Sequence, residues 1–175
     1  MKKLLIVVDY QNDFVDGSLG FENAKKIDSY IASLIKQFHQ NQDDVIFTYD
    51  SHETNYLSTQ EGKNLPIAHC IKKTDGWNLY GKVAQEKNKN DLCIYKNTFG
   101  SLELGNILKD THYLDITIVG IVSNICVLSN AIIVKSALPE VPIYIDKKGI
   151  ASNNLDLQEK TIEILENLQF KVKNK

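Results

Sequence analysis

Five short apolar runs constrain this chain more than any other feature. They are Lys3 to Val8, Val45 to Tyr49, Leu92 to Tyr95, Ile116 to Val119 and Val141 to Ile145. The first, Leu-Leu-Ile-Val-Val after Lys3, has no polar–apolar alternation at all. A strand with one wet face alternates; a strand covered on both faces does not, and central strands of parallel sheets are of the second kind. Between the runs lie stretches with helical spacing. From Asn23 the apolar positions are Ile27, Tyr30, Ile31, Leu34, Ile35 and Phe38; Leu155, Ile162, Leu165 and Leu168 repeat the pattern near the end. Shorter helices are expected over Asn78 to Lys87, Leu102 to Leu108 and Cys126 to Ala137. Strands alternating with helices predict an α/β fold, a parallel sheet with helices on both faces and right-handed crossovers. Phe170 to Val172 offers a sixth, edge strand, and the lysine-rich end, Lys171 to Lys175, reads as a solvated tail.

The 175 residues suit one domain, 1–175, with a full core. No repeat or linker divides them. A net charge of −2 gives no reason to expect a nucleic-acid or membrane-surface partner. Three widely spaced cysteines, Cys70, Cys93 and Cys126, argue against a disulfide framework and for a reducing compartment. The N-terminal apolar run stops at Asp9, too short for a signal peptide, and no stretch is long enough to span a bilayer. The expected location is cytoplasmic. Gly17 and Gly20 form no phosphate fingerprint, so no nucleotide cofactor is expected.

Four strands end in reactive residues: Asp9, Asp50, Lys96 and Cys126. Carboxyl ends of parallel strands share one rim, so these side chains can converge. Cys126 sits where a strand turns into a helix, and the free N–H groups and dipole of a helix start favour a thiolate. Lys96 can place a positive charge beside the sulfur. Asp9 can take the thiol proton and return it to a leaving group. Backbone N–H groups at Val122 and Cys126 can stabilise an oxyanion. Together these favour acyl transfer to a cysteine followed by hydrolysis.

The stretch Ser51 to Trp77 reads as a long loop without clean periodicity, and loops of that length are commonly functional. It begins at Asp50-Ser51-His52 and holds Glu61 and His69, donors that suit zinc, manganese or iron. From spacing alone they are equally ordinary loop residues. Phe14 and Trp77 are candidates to line a pocket for a flat substrate. Cys93 reads as core, and Cys70, next to His69, is left out of the donor set.

The segments Val7-Val8-Asp9-Tyr10-Gln11-Asn12-Asp13-Phe14, Thr48-Tyr49-Asp50-Ser51-His52, Leu65-Pro66-Ile67-Ala68-His69-Cys70, Lys96-Asn97-Thr98-Phe99 and Gly120-Ile121-Val122-Ser123-Asn124-Ile125-Cys126-Val127 resemble, in order, those of the isochorismatase-like cysteine hydrolases. The resemblance implies a three-layer sandwich with a six-stranded, mostly parallel sheet. It implies an Asp–Lys–Cys triad at Asp9, Lys96 and Cys126, and a cis peptide at Ile121-Val122. The Asp-x-His pair and the later His-Cys resemble the nicotinamidase subgroup, in which these positions hold a metal that binds the pyridine nitrogen. By that match Asp50, His52 and His69 become ligands, with Glu61 the fourth, and zinc the first expectation ahead of manganese or iron. Nicotinamidases often stack an aromatic residue on the ring just before the Pro-x-His stretch. Leu65 holds that place here, leaving Trp77 or Tyr56 to substitute.

The expected function is therefore a metal-dependent amidase converting nicotinamide to nicotinate and ammonia through a thioester. The alternatives are a related hydrolase of another small amide or carbamoyl compound, and a non-catalytic binding protein on the same scaffold. The resemblance further suggests a homo-oligomer.

Overall fold

The computed structural model describes residues 1–174. In chain order its elements are β1 (Leu4–Val8), α1 (Asn12–Val15), α2 (Glu22–Lys26), α3 (Asp28–Gln40), β2 (Asp44–Asp50), α4 (Gln60–Asn64), α5 (Gly81–Glu86), β3 (Leu92–Lys96), α6 (Leu102–Leu108), β4 (Ile116–Ile121), α7 (Leu128–Ala137), β5 (Ile143–Ala151), α8 (Leu155–Asn167) and β6 (Lys171–Lys173). The six strands form one sheet in the order β3-β2-β1-β4-β5-β6, with every neighbouring pair parallel.

The missing alternation in β1 has a direct cause. Leu4, Ile6 and Val8 enter one apolar cluster, and Leu5 and Val7 enter the other. The first cluster is closed by Leu104 and Leu108 of α6, Val134 of α7 and Leu165 of α8. The second is closed by Val15 of α1, Ile31 and Ile35 of α3 and Val83 of α5. Each such side chain contributes about 1.5–3 kcal/mol on leaving water.

The strand order reverses between β1 and β4. Growth runs outward from β1 to β3, then returns to place β4 on the other side of β1. A crevice opens outside the carboxyl ends of strands at such a reversal, and open α/β sheets bind their ligands there. Gly120 makes the close approach possible. It holds φ at 118°, and a side chain on it would collide with the Val8 carbonyl oxygen.

Several boundaries differ from the sequence reading. The expected helix from Asn23 is broken into α2 and α3 at Ile27. β5 begins at Ile143 and runs through Asp146-Lys147-Lys148 to Ala151, because Ile150 and Ala151 continue the pairing with Gly120 and Ile121 beyond a register shift. The loop after β2 contains helical turns at Tyr56–Ser58 and Asp75–Trp77 besides α4, whose first turn is capped by Gly62 N–H donating to Thr59 Oγ1 at 3.0 Å. The C-terminal lysines are only partly a tail. Lys171–Lys173 pair with β5, and Lys173 Nζ lies 3.6 Å over the Tyr144 ring; Lys175 lies outside the described residues. No helix among the described residues is long and apolar enough to cross a membrane.

Candidate active site

The crevice at the β1–β4 reversal collects Asp9, Lys96 and Cys126. Asp9 follows β1 with φ at 47° and is fully buried. Lys96 ends β3, and its ammonium lies 2.5 Å from Asp9 Oδ2 and 3.9 Å from Cys126 Sγ, while donating to the Thr98 carbonyl at 2.9 Å. Thr48 Oγ1 donates to the other Asp9 oxygen at 2.6 Å. Cys126 does not open a regular helix as expected. It lies in a wide π-type turn, Ser123–Val127, that follows the cis peptide Ile121-Val122 and leads into α7. Asn130, one turn on, ties this segment down. Its Nδ2 donates to the carbonyls of Cys126 and Phe99 at 2.8 and 3.0 Å, and its Oδ1 accepts from Ser101 N–H at 3.0 Å.

Burial sets the resting charges. It pushes the Asp9 carboxyl above the usual carboxylate range, against the pull of Lys96. It pushes the Cys126 thiol well up, and the Asp9 carboxylate adds to the shift while Lys96 opposes it. Burial thus opposes the thiolate that the helix start was expected to favour. Burial also works against the Lys96 charge, but the carboxylates of Asp9 and Asp50 outweigh it and hold the ammonium above its ordinary range.

Beside this group Asp50, His52, Glu61 and His69 present four donor atoms within 4.8 Å of one another. Asp50 Oδ2 lies 3.0 Å from His52 Nε2 and 3.3 Å from His69 Nε2; Glu61 Oε1 lies 3.7 and 3.6 Å from the same nitrogens. Four ligands at about 2.1 Å from a tetrahedral ion would stand about 3.4 Å apart, so these spacings fit a small divalent cation. His69 Nδ1–H donates to the Ile67 carbonyl at 2.8 Å, which leaves Nε2 as the inward donor. Burial opposes a charge on His69, but hydrogen bonds to Asp50 and Glu61 outweigh it and raise its pKa to about 10. Asp50 itself is held well below the usual carboxylate range, because His52, His69 and Lys96 outweigh its burial.

Both groups open on a cavity of about 220 Å³. Phe14, Leu19, Phe21, Leu65, Phe99 and Ile125 form its apolar walls, and Val122, Cys126, Asp50, Glu61 and His69 reach it. Phe14 stands where expected, with its ring 5.4 Å from that of His69. Trp77 does not reach the cavity. It stacks on Tyr95 at 5.5 Å and donates to Ser51 Oγ at 2.7 Å, beside the tyrosines near the ends of β2 and β3. Tyr56 is also absent from the walls; it is packed edge-on against the rings of His52 and His69. Phe21 and Phe99 supply the further aromatic faces; Phe21 carried no sequence signal beyond its residue type, and Phe99 closes the family-resembling segment that begins at Lys96 without having been assigned to the pocket. Cys70 is buried outside the donor cluster, and Cys93 is only partly buried rather than core.

Gln11 was also missed. Its buried amide accepts from Asp50 N–H at 2.8 Å and donates to the Asp50 and Trp77 carbonyls at 2.9 and 2.8 Å. It thus fixes the backbone of a donor residue to the segment that carries Asp9.

Fold and site together define an α/β protein with a buried thiol, ammonium and carboxylate at the switch point of a parallel sheet. Residues 3–172 match the family model of the Isochorismatase domain, and the chain belongs to the isochorismatase family. It is a hydrolase acting on amides, the class to which its relatives belong. It is 33% identical over 165 residues to the isochorismatase family protein PncA of Bacillus subtilis, covering 88% of each chain. The crystal structure of nicotinamidase/pyrazinamidase PncA from Bacillus subtilis superposes with a TM-score of 0.87 at 29% identity, covering 98% of this chain and 99% of that one. The pyrazinamidase of Pyrococcus horikoshii in complex with zinc shares the fold, with a TM-score of 0.86 at 22% identity over 99% of both chains.

Proposed function

We propose that this chain is a metal-dependent cysteine amidohydrolase whose substrate is nicotinamide. One observation carries the reading: the four-donor cluster and Cys126 open on the same small, aromatic-walled cavity. The nicotinamidase relatives support the substrate. Leu65 does not argue against it, because Phe14, Phe21 and Phe99 offer ring faces in the same space.

In this mechanism the Cys126 sulfur attacks the amide carbon while its proton passes to Asp9, whose raised pKa suits a group that must first accept and then donate. The tetrahedral oxyanion lies against the N–H groups of Val122 and Cys126. Asp9 returns the proton to the nitrogen, ammonia leaves, and a thioester remains on Cys126. Water then attacks the thioester with Asp9 as base; the acid is released and the thiol regains its proton. Lys96 keeps its charge throughout and offsets the negative charge on Asp9 and the sulfur. Asp50, His52, Glu61 and His69 would hold the metal, and their nitrogen and oxygen donors favour zinc, with manganese or iron as alternatives. When bound, it supplies a Lewis-acid contact for the pyridine nitrogen. The free cysteines support a reducing, cytoplasmic setting. The working form in this proposal is a homo-oligomer.

The test is ammonia release by zinc-loaded protein from nicotinamide, beside benzamide and small carbamoyl compounds. Nicotinamide is expected to be turned over fastest, and Cys126→Ala to abolish turnover without changing the fold. Activity surviving that substitution would refute the mechanism. Turnover of the other amides alone would refute the substrate.

A further inference from the structure

The donor cluster stands between two cavities. Asp50 and His69 border the apolar one, of about 220 Å³. His52 borders another, of about 650 Å³, lying between α4 and the connection from β3 to α6. Glu61, Leu65 and Phe99 belong to both walls. The second cavity is the more polar of the two, with Ser51, Asn55, Thr59, Asn64, Asn97 and Thr98 on its walls; Lys72 also borders it, its ammonium paired to Glu53 at 2.6 Å. Glu61 is also the cluster's most exposed side chain, at 17% against 5% for Asp50 and His52 and 2% for His69.

We propose that the polar cavity is the route by which the divalent cation enters and leaves, with Glu61 the ligand that swings aside. Cation traffic then bypasses the substrate cavity. The inference rests on the metal reading above and adds a path to it. The physical case is the hydration of the ion. The polar cavity, at about 650 Å³ against about 220 Å³, gives a hydrated ion the more room. Outside the donor cluster the apolar cavity has one polar side chain, Asn153, beside Phe14, Leu19, Phe21 and Ile125, so little there can replace lost waters, and stripping a charge without replacement is costly. In the polar cavity amide and hydroxyl oxygens can take over from waters one at a time. The backbone of α4 is held in place: Thr59 caps it, and a side chain at Gly62 would collide with the Tyr56 carbonyl oxygen. Opening therefore falls to the side-chain torsions of Glu61.

Zinc uptake and release are followed by stopped flow against a chromogenic chelator, with equilibrium stoichiometry and affinity measured separately. Asn64→Trp and Gln60→Trp narrow the polar cavity from exposed positions on α4. Each is expected to slow both rates about tenfold while stoichiometry and affinity stay as in the parent protein. Leu19→Trp fills the substrate cavity and is expected to leave both rates unchanged. The route is overturned if Leu19→Trp slows exchange, or if zinc binds normally and neither α4 variant alters its rates. Absence of zinc binding by the parent protein overturns the metal reading and the route together.

Discussion

Replacing Gln11 by Leu tests how the cluster is held. Leu is close to Gln in volume and keeps the packing, but it deletes all three hydrogen bonds of the buried amide. Asp50 N–H and the Asp50 and Trp77 carbonyls then lose partners in a dry environment. An unsatisfied buried group costs about 1–3 kcal/mol, so three give a floor of about 3 kcal/mol. In a chain of this size each kcal/mol lowers Tm by about 2–4 °C, which predicts a fall of at least ~6 °C by circular dichroism. The second effect is specific to the cluster. Asp50 loses the clamp on its backbone, and losses of this kind weaken metal binding about 10–100-fold. Competition with a chelator measures it, and excess zinc should restore kcat at a temperature where the variant is folded. Gln11→Glu is expected to do no better than Leu, because it keeps the acceptor for Asp50 N–H but sets a carboxylate against two carbonyls. A Tm within ~2 °C of the parent together with an unchanged zinc affinity would refute the argument.

Three further outcomes follow from the buried charges. Lys96→Met leaves the Asp9 carboxylate without its counter-charge, and breaking a buried pair in this way costs about 3–5 kcal/mol; the thermal shift should be larger at pH 8 than at pH 5, where Asp9 can take a proton, and an equal shift at both would contradict it. The acid limb of kcat/KM should lie above 3.8, the ordinary Asp value, because burial raises Asp9 and only its ionised form accepts the thiol proton; a limb at or below 3.8 would remove Asp9 as the base. Tyr30, whose hydroxyl donates to Asp146 at 2.9 Å, is raised from 10 to about 12, by burial first and Asp146 second. The folded state thus prefers the protonated phenol, so this stabilisation is complete below pH 10 and lost as pH rises towards 12; Tyr30→Phe should flatten that alkaline fall in Tm, and an identical fall would disprove the linkage.

What could be read in the sequence, and what could not, divides along the range of the interactions. The strands are legible because burial on two faces writes itself into consecutive residues: every position of β1 is buried. The strand-end residues are legible because a parallel sheet places carboxyl ends on one rim, whatever the details of packing. Gln11, Asn130 and Thr48 escape because their roles lie in bonds to residues 29 to 66 positions away, and nothing local distinguishes a clamping amide from a surface one. Trp77 misleads for a related reason. Its residue type suits a pocket wall, but whether it faces the cavity or Tyr49 and Tyr95 depends on how Asp75–Trp77 docks, which the long loop does not encode locally. The opposition of burial to a Cys126 thiolate could not be read either, since depth of burial is set by the packing of the whole sheet.

Asp50 shows why the catalytic and donor groups cannot be treated as separate modules. One carboxylate oxygen faces His52 and His69, and the other lies 3.8 Å from the ammonium of Lys96 with no hydrogen bond of its own among the described residues. Its backbone is clamped by Gln11, two residues from Asp9. A change of charge in the cluster is therefore felt by Lys96, and through Lys96 by both Asp9 and Cys126. The sheet enforces this closeness: β2 lies between β1 and β3, so the residue ending it must stand between the residues that end its neighbours. A donor placed at that strand end is a neighbour of the reacting group by topology, and the long loop after β2 has only to bring His52, Glu61 and His69 back to it.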